Sequence, residues 1–416
     1  MFASFSTALS ALDANATAVG VVGNNLANLD TPGYKNSVAY FQDLMSESLG
    51  SGTQVGFGVA PPLTLRQFTQ GAIQSSGGPL DAAIQGDGFF VVSNGAATQY
   101  TRAGSFQTDL SGNLLTPSGA YVQGWTAANG VLNTGGPVGN IVVPVGAMQA
   151  PLASTSFSLN GNLNSSATAD ATSAWSSPIT VYDSLGDAHV VTLNFQKTGA
   201  NTWSYSASVP GSDVTAGTAG TPYNIPNASG TLTFNSSGQL TSPAAGSPVT
   251  VAIPGLTDGA ADMSMSWNPY NPDGTGSITQ FDQASAASAN SQNGLAAAEL
   301  TGVTMSNGGQ LVASYSNGQQ TVVGQLAMAS IRNPQSLQAV GNNDYQTSST
   351  SAAPSVGLPG TGGRGTVTGG SLEASNVDIA TEFTNLIVLQ SAYQANSKVV
   401  STVSQMAQDT TNLIQG

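Results

Sequence analysis

The chain has 416 residues, only 7% of them charged, and a formal net charge of −14 with seven basic residues. Ordinary soluble proteins carry roughly 25% charged residues. Binding to nucleic acid or to an anionic membrane surface requires clustered Lys and Arg, so we expect neither partner. The absence of Cys excludes disulfides and thiolate chemistry. We also expect no membrane span, because no wholly apolar run approaches the ~20 residues that this requires, and no ordinary secretory signal, because the N-terminus lacks its basic segment.

Residues 1–30 predict a long helix with one apolar seam. The residues that recur at intervals of three and four are Phe2, Phe5, Leu9, Leu12, Ala16, Val19, Gly23 and Leu26. This spacing is typical of a coiled coil. The segment carries only two charges, Asp13 and Asp30, so it lacks the charged face of a helix in water. Gly20 and Gly23 each weaken a helix by roughly 1 kcal/mol relative to Ala, so we expect this helix to need packing partners on most sides.

The C-terminal segment repeats this pattern. Its series at intervals of three and four comprises Leu386, Leu389, Tyr393, Asn396, Val400, Val403, Ala407, Thr410 and Ile414. Two such seams at opposite ends of one chain predict helices that pack against each other or against other copies. We assign a polymerisation interface to Phe2, Phe5, Leu9, Leu12, Val19, Leu26, Ile379, Phe383, Leu386, Leu389, Tyr393, Val400 and Val403. An intramolecular helical hairpin that caps a monomeric domain is the alternative.

The sequence between the helices predicts short strands joined by tight turns. Turn pairs at Asp87–Gly88, Ser111–Gly112 and Ser237–Gly238 separate apolar runs, and residues 178–208 predict a further hairpin. This spacing predicts β-sandwich or barrel-like domains. We expect Trp175, Trp203 and Trp267 to anchor the packing of one of them. Residues 347–371, rich in Ser, Thr, Pro and Gly, predict a loop.

We predict mainly β outer domains with α-helical N- and C-terminal coiled-coil segments in a nested multidomain architecture. Turn-rich stretches near residues 144–156 and 268–274 divide the middle of the chain. The predicted parts are a terminal helical polymerisation domain (1–34 and 371–416), an extended connector (35–70), a discontinuous β domain (71–148 and 282–370) and an inserted outer β domain (149–281). This order brings the two ends of the chain together.

Three features resemble chemical sites, and each has a simpler explanation. Gly360–Gly365 spells G-x-G-x-x-G, but a dinucleotide site needs a strand before it and a helix opening from it. Asn271–Gly274 resembles part of a calcium loop, yet its first and twelfth positions would be Pro269 and Gln280, which favours a turn. His189 is the only His, which excludes a two-His metal site in one chain. We therefore expect no catalytic, cofactor or metal site, and a protein that is not an enzyme.

Several blocks occur in a fixed order along the chain. They are Ala8–Leu12, Val22–Asn28, Thr31–Lys35, Gly56–Val59, Leu80–Phe90, Tyr100–Phe106, Val181–Gly186, Gly370–Asp378 and Gln390–Asn396. The second block reads V-G-N-N-L-A-N, and the eighth reads G-S-L-E-A-S-N-V-D. Together they resemble the signatures of the bacterial flagellar rod and hook proteins. The resemblance covers both ends and much of the middle, and the ordered set is far more specific than any one block.

The length of the chain and the Val181–Gly186 block favour the hook branch of that family over the shorter distal rod branch. The resemblance implies a self-polymerising subunit of a hollow flexible tube outside the outer membrane. Such a tube couples rod to filament and transmits torque, with the terminal helices on its inner wall. The resemblance also implies contact with rod, hook–filament junction and hook cap proteins, and export by the flagellar secretion apparatus. The alternatives are a distal rod protein and a secreted fibre or adhesin with coiled-coil ends.

Overall fold

The computed structural model describes residues 2–44, 47–49, 53–95, 97–128 and 131–415. One long helix lies near each end of this part of the chain, α1 (Phe2–Ala27) and α2 (Ile379–Gln415). The intervening chain is mainly β structure, with short 3-10 helices at Ala171–Ser173 and Pro334–Ser336. The predicted fold class, mainly β with helices at both ends, is confirmed.

The strands of the described residues are, in chain order, β1 (Ser37–Tyr40), β2 (Glu47–Leu49), β3 (Thr53–Val55), β4 (Leu63–Arg66), β5 (Ile73–Ser75), β6 (Ala82–Gln85), β7 (Phe89–Ser93), β8 (Thr98–Thr101), β9 (Gln107–Thr108), β10 (Leu114–Leu115), β11 (Tyr121–Thr126), β12 (Gly139–Asn140), β13 (Met148–Gln149), β14 (Ser156–Asn162), β15 (Trp175–Tyr182), β16 (Ala188–Gly199), β17 (Thr202–Pro210), β18 (Pro222–Phe234), β19 (Leu240–Ser242), β20 (Val249–Ile253), β21 (Met263–Trp267), β22 (Ile278–Thr279), β23 (Ala286–Gln292), β24 (Ala298–Met305), β25 (Gln310–Tyr315), β26 (Gln320–Leu326), β27 (Met328–Ser330), β28 (Gln338–Gly341), β29 (Asp344–Gln346), β30 (Ser355–Gly357), β31 (Thr366–Gly369) and β32 (Ser371–Glu373).

The chain divides into two compact units. The first comprises Met1–Val145, Gly302–Ser314 and Gln320–Gly416, and the second comprises Gly146–Thr301 and Tyr315–Gln319. The first unit is therefore assembled from stretches that are far apart in sequence. The inserted domain expected at 149–281 lies within the second unit, whose chain continues to Thr301.

The first unit contains an antiparallel sheet in the strand order β25-β26-β11-β7-β8-β29-β28. Its core includes Phe89, Val91, Tyr100, Trp125 and Tyr345. Two further ladders join early and late parts of the chain, because β5 pairs with β32 and β6 pairs with β31. These ladders place the residues directly before α2 beside the end of the connector.

The turn at Asp87–Gly88 separates two strands as predicted, but it does not close a hairpin. β6 pairs with β31, whereas β7 pairs with β8, β11 and β27. Gly86 and Gly88 have φ values of +95° and +127°, which L-residues with a Cβ rarely adopt. The chain thereby leaves one ladder and enters another sheet, and the Asp87 carbonyl accepts a hydrogen bond from Gly365 N (2.6 Å).

The other predicted hairpins are present. β9 pairs with β10 around Ser111–Gly112, and β18 pairs with β19 around Ser237–Gly238. β15 pairs with β16 across the turn at residues 183–187. Each turn carries a Gly with positive φ at its tip. Gly adopts positive φ at no steric cost, and this is why a Gly between apolar runs predicts a turn.

The segment 347–371 is not the free loop that its composition predicts. It contains β30, which pairs with β27, and β31, which pairs with β6. Arg364 fixes the turn between these strands, because its Nε donates to the Leu358 carbonyl (2.9 Å) and its Nη2 to Thr361 Oγ1 (2.8 Å). The G-x-G-x-x-G sequence lies in this turn, and β31 rather than a helix follows it, so the context of a dinucleotide site is missing.

The second unit is a β-sandwich. One sheet has the order β20-β21-β14-β22 with β23 paired to β14, and the other has the order β15-β16-β17-β18-β19. Apolar residues of both sheets share one core, in which Trp203 and Trp267 are fully buried. Trp175 stacks on Phe195, with ring centroids 5.5 Å apart. The three Trp residues therefore anchor this core as predicted.

Candidate assembly interface

The two terminal helices pack against each other within the first unit. Near the end of α1, Asn25 Nδ2 donates to Glu382 Oε1 in the first turn of α2 (3.0 Å). Earlier residues of α1, Ala18 and Val22, line the same groove as a later residue of α2, Leu389, so the helices run antiparallel. Asp378 caps the start of α2, because its Oδ1 accepts from the Thr381 amide (2.7 Å). This hydrogen bond lowers the pKa of Asp378.

The buried face of α1 consists mostly of small residues. Its buried members are Ala8, Ala14, Asn15, Ala18, Val22 and Asn25. The predicted seam lies on a neighbouring face instead. Phe5 and Leu9 are 38% and 45% exposed, while Leu12, Val19 and Leu26 are half-buried. Because small side chains allow closer helix approach, the intramolecular contact uses the Ala-rich face rather than the predicted one. The side chain of Phe2 lies outside the described residues.

The predicted residues of α2 fall into two groups. Leu386, Leu389, Val400 and Val403 are half-buried. Three others face outward, with exposed fractions of 47% for Ile379, 52% for Phe383 and 43% for Tyr393. The structure of one chain therefore brings only part of the predicted α2 set into contact with α1.

The exposed apolar side chains of the helices and the connector form what we call the terminal apolar surface. Its members are Phe5, Leu9, Val38, Tyr40, Phe41, Leu44, Phe57, Leu63, Ile379, Phe383, Ile387, Val388, Tyr393, Val399 and Met406. Within the two described helices the charged residues are Asp13, Glu382, Lys398 and Asp409, and Glu382 is buried. Exposed apolar surface with so little charge is characteristic of a contact region.

α1 contains a stretch, Phe5–Ala27, that is long and apolar enough to cross a membrane by length and composition alone. Only unbroken apolar runs were considered in the sequence, so this stretch was not detected there. Ser10, Asn15 and Thr17 interrupt the stretch, but each side chain donates to a carbonyl three or four residues back at 2.8–3.0 Å. Polar side chains satisfied in this way suit a helix surrounded by other helices as well as one in lipid.

A cluster of buried charges joins the two ends of the chain; we call it the Glu373 cluster. Glu373 Oε1 accepts from Lys35 Nζ at 2.6 Å and from the Gly71 amide at 2.9 Å. Glu373 Oε2 accepts from Arg102 Nη1 at 3.2 Å. The exposed fractions of Lys35, Arg102 and Glu373 are 0%, 3% and 1%. Burial lowers the pKa of Lys35, and the carboxylate of Glu373 opposes that shift.

Two Asn side chains lie beside the Glu373 cluster, and together with it they form what we call the junction between the two ends of the chain. Asn25 Nδ2 donates to the Ser37 carbonyl (2.8 Å), and its Oδ1 accepts from the Ser37 amide (2.9 Å). Asn376 Oδ1 accepts from the Asn36 amide (2.7 Å), and its Nδ2 donates to the Gln67 carbonyl (3.0 Å). These paired contacts fix the end of α1 to β1 and the residues before α2 to the connector.

A groove of about 200 Å³ lies between α1, β1 and α2. Its lining includes Ala18, Val22, Phe41, Glu382, Val388 and Leu389. Burial raises the pKa of Glu382, while its hydrogen bond from Asn25 opposes the shift. Apolar and polar residues both line the groove, and the buried carboxyl group of Glu382 is among them.

Sequence reasoning missed the Glu373 cluster, although a signal was present. Lys35 and Glu373 both lie in ordered blocks near opposite ends of the chain, and Arg102 lies in a third block. In a chain with seven basic residues, charges placed in otherwise apolar or Gly-rich blocks are candidates for buried pairs.

Comparison with known proteins extends along the whole chain. The chain is 34% identical to the flagellar hook protein FlgE of Salmonella typhimurium over 426 residues, which cover 99% of this chain and 100% of that protein. It is 32% identical to the flagellar hook protein FlgE of Escherichia coli over 422 residues, which cover 98% and 99% of the two chains. The chain belongs to the flagellar hook protein family. A third hook protein, from Treponema pallidum, is 31% identical over 461 residues and is covered to 98%.

Separate regions of the chain match family descriptions within the flagellar axial proteins. Residues 5–35 match the flagella basal body rod protein, and residues 83–169 match the flagellar hook protein FlgE/F/G D1 domain. Residues 151–295 match the flagellar basal body protein FlaE D2 domain, and residues 368–413 match the C-terminal part of the flagellar basal body rod FlgEFG protein. The hook family assignment confirms the resemblance seen in the sequence.

A solved structure supports the fold. The flagellar hook protein FlgE2 of Helicobacter pylori superposes with a TM-score of 0.53 at 15% sequence identity. The alignment covers 71% of this chain and 99% of that chain. Members of the hook protein family therefore share this multidomain β architecture. Lys35 and Glu373 of the junction lie in the two terminal regions that match the rod protein descriptions.

Proposed function

We propose that this chain is the structural subunit of a bacterial flagellar hook, which polymerises into a hollow flexible tube that couples rod to filament and transmits torque. The observation that carries the proposal is the terminal apolar surface, which the chain itself leaves uncovered. Burial of each large apolar side chain contributes roughly 1.5–3 kcal/mol. Contact with several neighbouring copies would supply that burial, and the predicted interface residues on both helices would take part in it.

In the proposed polymer, the junction would transmit torque from the terminal helices to the β structure of the first unit. Helices packed among their copies would form the inner wall of the tube. The Glu373 cluster and the contacts of Asn25 and Asn376 connect those helices to the connector and to the ladder formed by β5 and β32. Torque applied to the helices would then reach the β structure of the first unit through buried, hydrogen-bonded contacts rather than through an exposed hinge.

The proposed partners are further copies of this chain, the rod and hook–filament junction proteins, the hook cap and the flagellar export apparatus. The proposed location is extracellular, in the hook of the flagellum, reached through the flagellar secretion system. Membership of the hook family supports the hook and basal body context. We propose no catalytic role and no cofactor for assembly, since the relatives bear the names of hook proteins.

The two alternatives are less consistent with the observations. A distal rod protein would share the terminal segments, but the relatives that match almost the full length are hook proteins. A fibre or adhesin that trimerises through one continuous coiled coil would have no reason to pair its first and last helices antiparallel within one chain. The pairing of α1 with α2 favours a subunit in which both ends act together.

The proposal is tested by placing charge on the exposed part of α2. Phe383→Asp combined with Ile387→Asp changes two side chains that are 52% and 63% exposed, so the fold of the chain should survive. Polymerisation of purified chain should fail, because two carboxylates would have to be buried between copies. Electron microscopy and sedimentation measure the polymer, and circular dichroism checks the fold.

Leu110→Asp is the matched control. Leu110 is a fully exposed apolar residue in the first unit, outside both helices and the connector. This variant should polymerise as the unchanged chain does. Normal tubes from the double α2 variant, or an equal loss of tubes in the control, would reject the assignment of the interface.

A further inference from the structure

A buried histidine in the second unit faces three carboxylates. His189 lies on β16 and is 6% exposed. Its Nε2 is 3.3 Å from Oδ2 of Asp183 and 3.2 Å from Oδ2 of Asp258, and its Nδ1 is 3.1 Å from Oδ2 of Asp213. The facing atoms of Asp183, His189 and Asp258 all lie within 4.8 Å of one another. We call these four residues the His189 cluster.

The two carboxylates on the Nε2 side are held in place by their other oxygens. Oδ1 of Asp183 accepts from the backbone amides of residues 185–187 at 2.7–2.9 Å. Oδ1 of Asp258 accepts from the Ala260 amide at 2.8 Å. In both residues the remaining oxygen is therefore directed at His189, and the chain orients these groups without help from a ligand.

Hydrogen bonds within the cluster do not satisfy its charges. A neutral imidazole has one donor nitrogen and one acceptor nitrogen. If Asp213 accepts the Nδ1 proton, the Nε2 lone pair points toward two carboxylate oxygens. If Nε2 is protonated as well, a single hydrogen serves two acceptors, and the four side chains still carry an excess of negative charge. The ring therefore lies where a cation is favoured.

The separations match the edges of a tetrahedral metal site. Metal–ligand bonds of about 2.0–2.2 Å at tetrahedral angles put neighbouring nitrogen and oxygen donors about 3.3–3.5 Å apart. The two nitrogen–oxygen separations in this cluster, 3.3 and 3.2 Å, lie at the lower edge of that range. We propose that Asp183, His189 and Asp258 bind a first-row divalent transition-metal ion such as Zn²⁺, with water as the fourth ligand. Asp213 is the positioning residue, since ligating His side chains commonly donate their other N–H to a carboxylate.

Ligand chemistry favours a transition metal over Ca²⁺ or Mg²⁺. Those ions take six or more oxygen ligands, whereas one imidazole with two carboxylates suits Zn²⁺ and its neighbours in the first row. Asp183 and His189 belong to the β15–β16 hairpin, while Asp258 follows β20 of the other sheet. A bound ion would therefore link the two sheets of the sandwich near one end.

The site was not expected from the sequence. One His argued against a metal centre, and Asp213 and Asp258 are far from His189 along the chain. Only the spacing of Asp183 and His189 in one hairpin was available as a signal, and an Asp in a turn is ordinary.

The experiment is calorimetric titration of the chelator-treated full-length chain with ZnCl₂, and with CaCl₂ and MgCl₂ in parallel. We expect one saturable Zn²⁺ site per chain and no comparable heat from the other two ions. Asp258→Asn should weaken Zn²⁺ binding by more than the positioning variant Asp213→Asn, for which we expect a loss of about 10–100-fold. Co²⁺ added in place of Zn²⁺ should give the visible absorption of a four-coordinate site.

Asp273→Asn is the control for loss of a surface carboxylate, because Asp273 caps an exposed turn in the same unit. It should bind Zn²⁺ as the unchanged chain does. Asp258 lies outside the strands, between β20 and β21, and its side chain is 20% exposed, so its substitution should leave the β-sheet circular dichroism unchanged and a loss of binding would not reflect unfolding. Absence of saturable Zn²⁺ binding, or binding that survives Asp258→Asn, would overturn the proposal. Equal binding of Ca²⁺ would overturn the choice of metal.

Discussion

We predict that Glu373→Gln destabilises the first unit strongly while leaving the second unit unchanged. Among the described residues, Glu373 is the carboxylate that contacts Lys35 Nζ and Arg102 Nη1, both of which are buried, and the substitution removes its charge. Removing one partner of a buried ion pair costs about 3–5 kcal/mol, because the remaining charge is left without compensation. Gln keeps the shape and one acceptor for the Gly71 amide, so the loss measures charge rather than packing.

The pH dependence of the unfolding free energy should show whether the uncompensated charge of Lys35 causes the destabilisation in Glu373→Gln. Burial already lowers the pKa of Lys35, and Glu373 opposes that shift. Without the carboxylate the pKa of folded Lys35 falls further, so the unfolded chain binds more protons than the folded one. Stability then rises with pH. Glu373→Gln should therefore lose part of its defect between neutral and alkaline pH. Lys35→Met, which leaves Glu373 paired with Arg102, should cost only about 1–2 kcal/mol.

Native-state hydrogen exchange with mass spectrometry is the assay, because it reports opening free energies for separate segments of one chain. Peptides from β5, β32 and β7 report the first unit, and peptides from β16 and β17 serve as the internal reference in the second. A change below about 1 kcal/mol at β5 and β32, or a larger cost for Lys35→Met than for Glu373→Gln, would refute the reasoning.

Two further predictions concern the first unit. Gly33 has a φ of +71°, and a Cβ there would lie 2.6 Å from backbone atoms of Arg102 and Ala103. Gly33→Ala should therefore lower the unfolding free energy by about 2 kcal/mol or more, measured by denaturant titration. In the same titration Gly20→Ala, whose Cβ meets open space on α1, should raise the unfolding free energy by about 0.5–1 kcal/mol. Burial raises the pKa of Asp344 to about 6 from an ordinary 3.8. The folded chain therefore holds this proton more tightly, and stability should fall by about 3 kcal/mol as pH rises from about 3 to about 7. Asp344→Asn should abolish that fall, and an unchanged pH profile in this variant would contradict the assignment.

Local signals predicted the elements well. Turn pairs with Gly marked hairpins such as β9–β10, and the three-four spacing marked both long helices. The sequence did not predict which strands pair with each other. The Asp87–Gly88 turn joins strands of different ladders, because β6 finds its partner in β31, far along the chain. The sequence near a turn does not encode such a distant partner. For the same reason the Ser- and Gly-rich segment 347–371 contains paired strands, although its composition predicts a loop.

The helix faces show a second limit. Spacing identified an apolar seam on α1, but the intramolecular contact uses the neighbouring Ala-rich face. Hydrophobicity ranks Phe5 and Leu9 above Ala14 and Ala18, whereas close helix packing favours the small residues. The spacing of apolar residues does not distinguish a helix face that packs within its own chain from one that contacts another copy. Here the distinction is informative, since the large residues Phe5 and Leu9 are left exposed.

The sparse charge of the helices leads to a final prediction, that polymerisation depends little on NaCl but strongly on sulfate. Surface ion pairs are screened as ionic strength rises, so a charge-dependent interface weakens with added NaCl. The exposed parts of α1 and α2 carry Asp13, Lys398 and Asp409 but many apolar side chains, and excluded salts such as sulfate strengthen apolar burial. The critical concentration, measured by sedimentation, should therefore stay nearly constant from low to moderate NaCl and fall with ammonium sulfate. A steep rise with NaCl would mean that charge pairs hold the polymer together, and the terminal apolar surface would lose its proposed role.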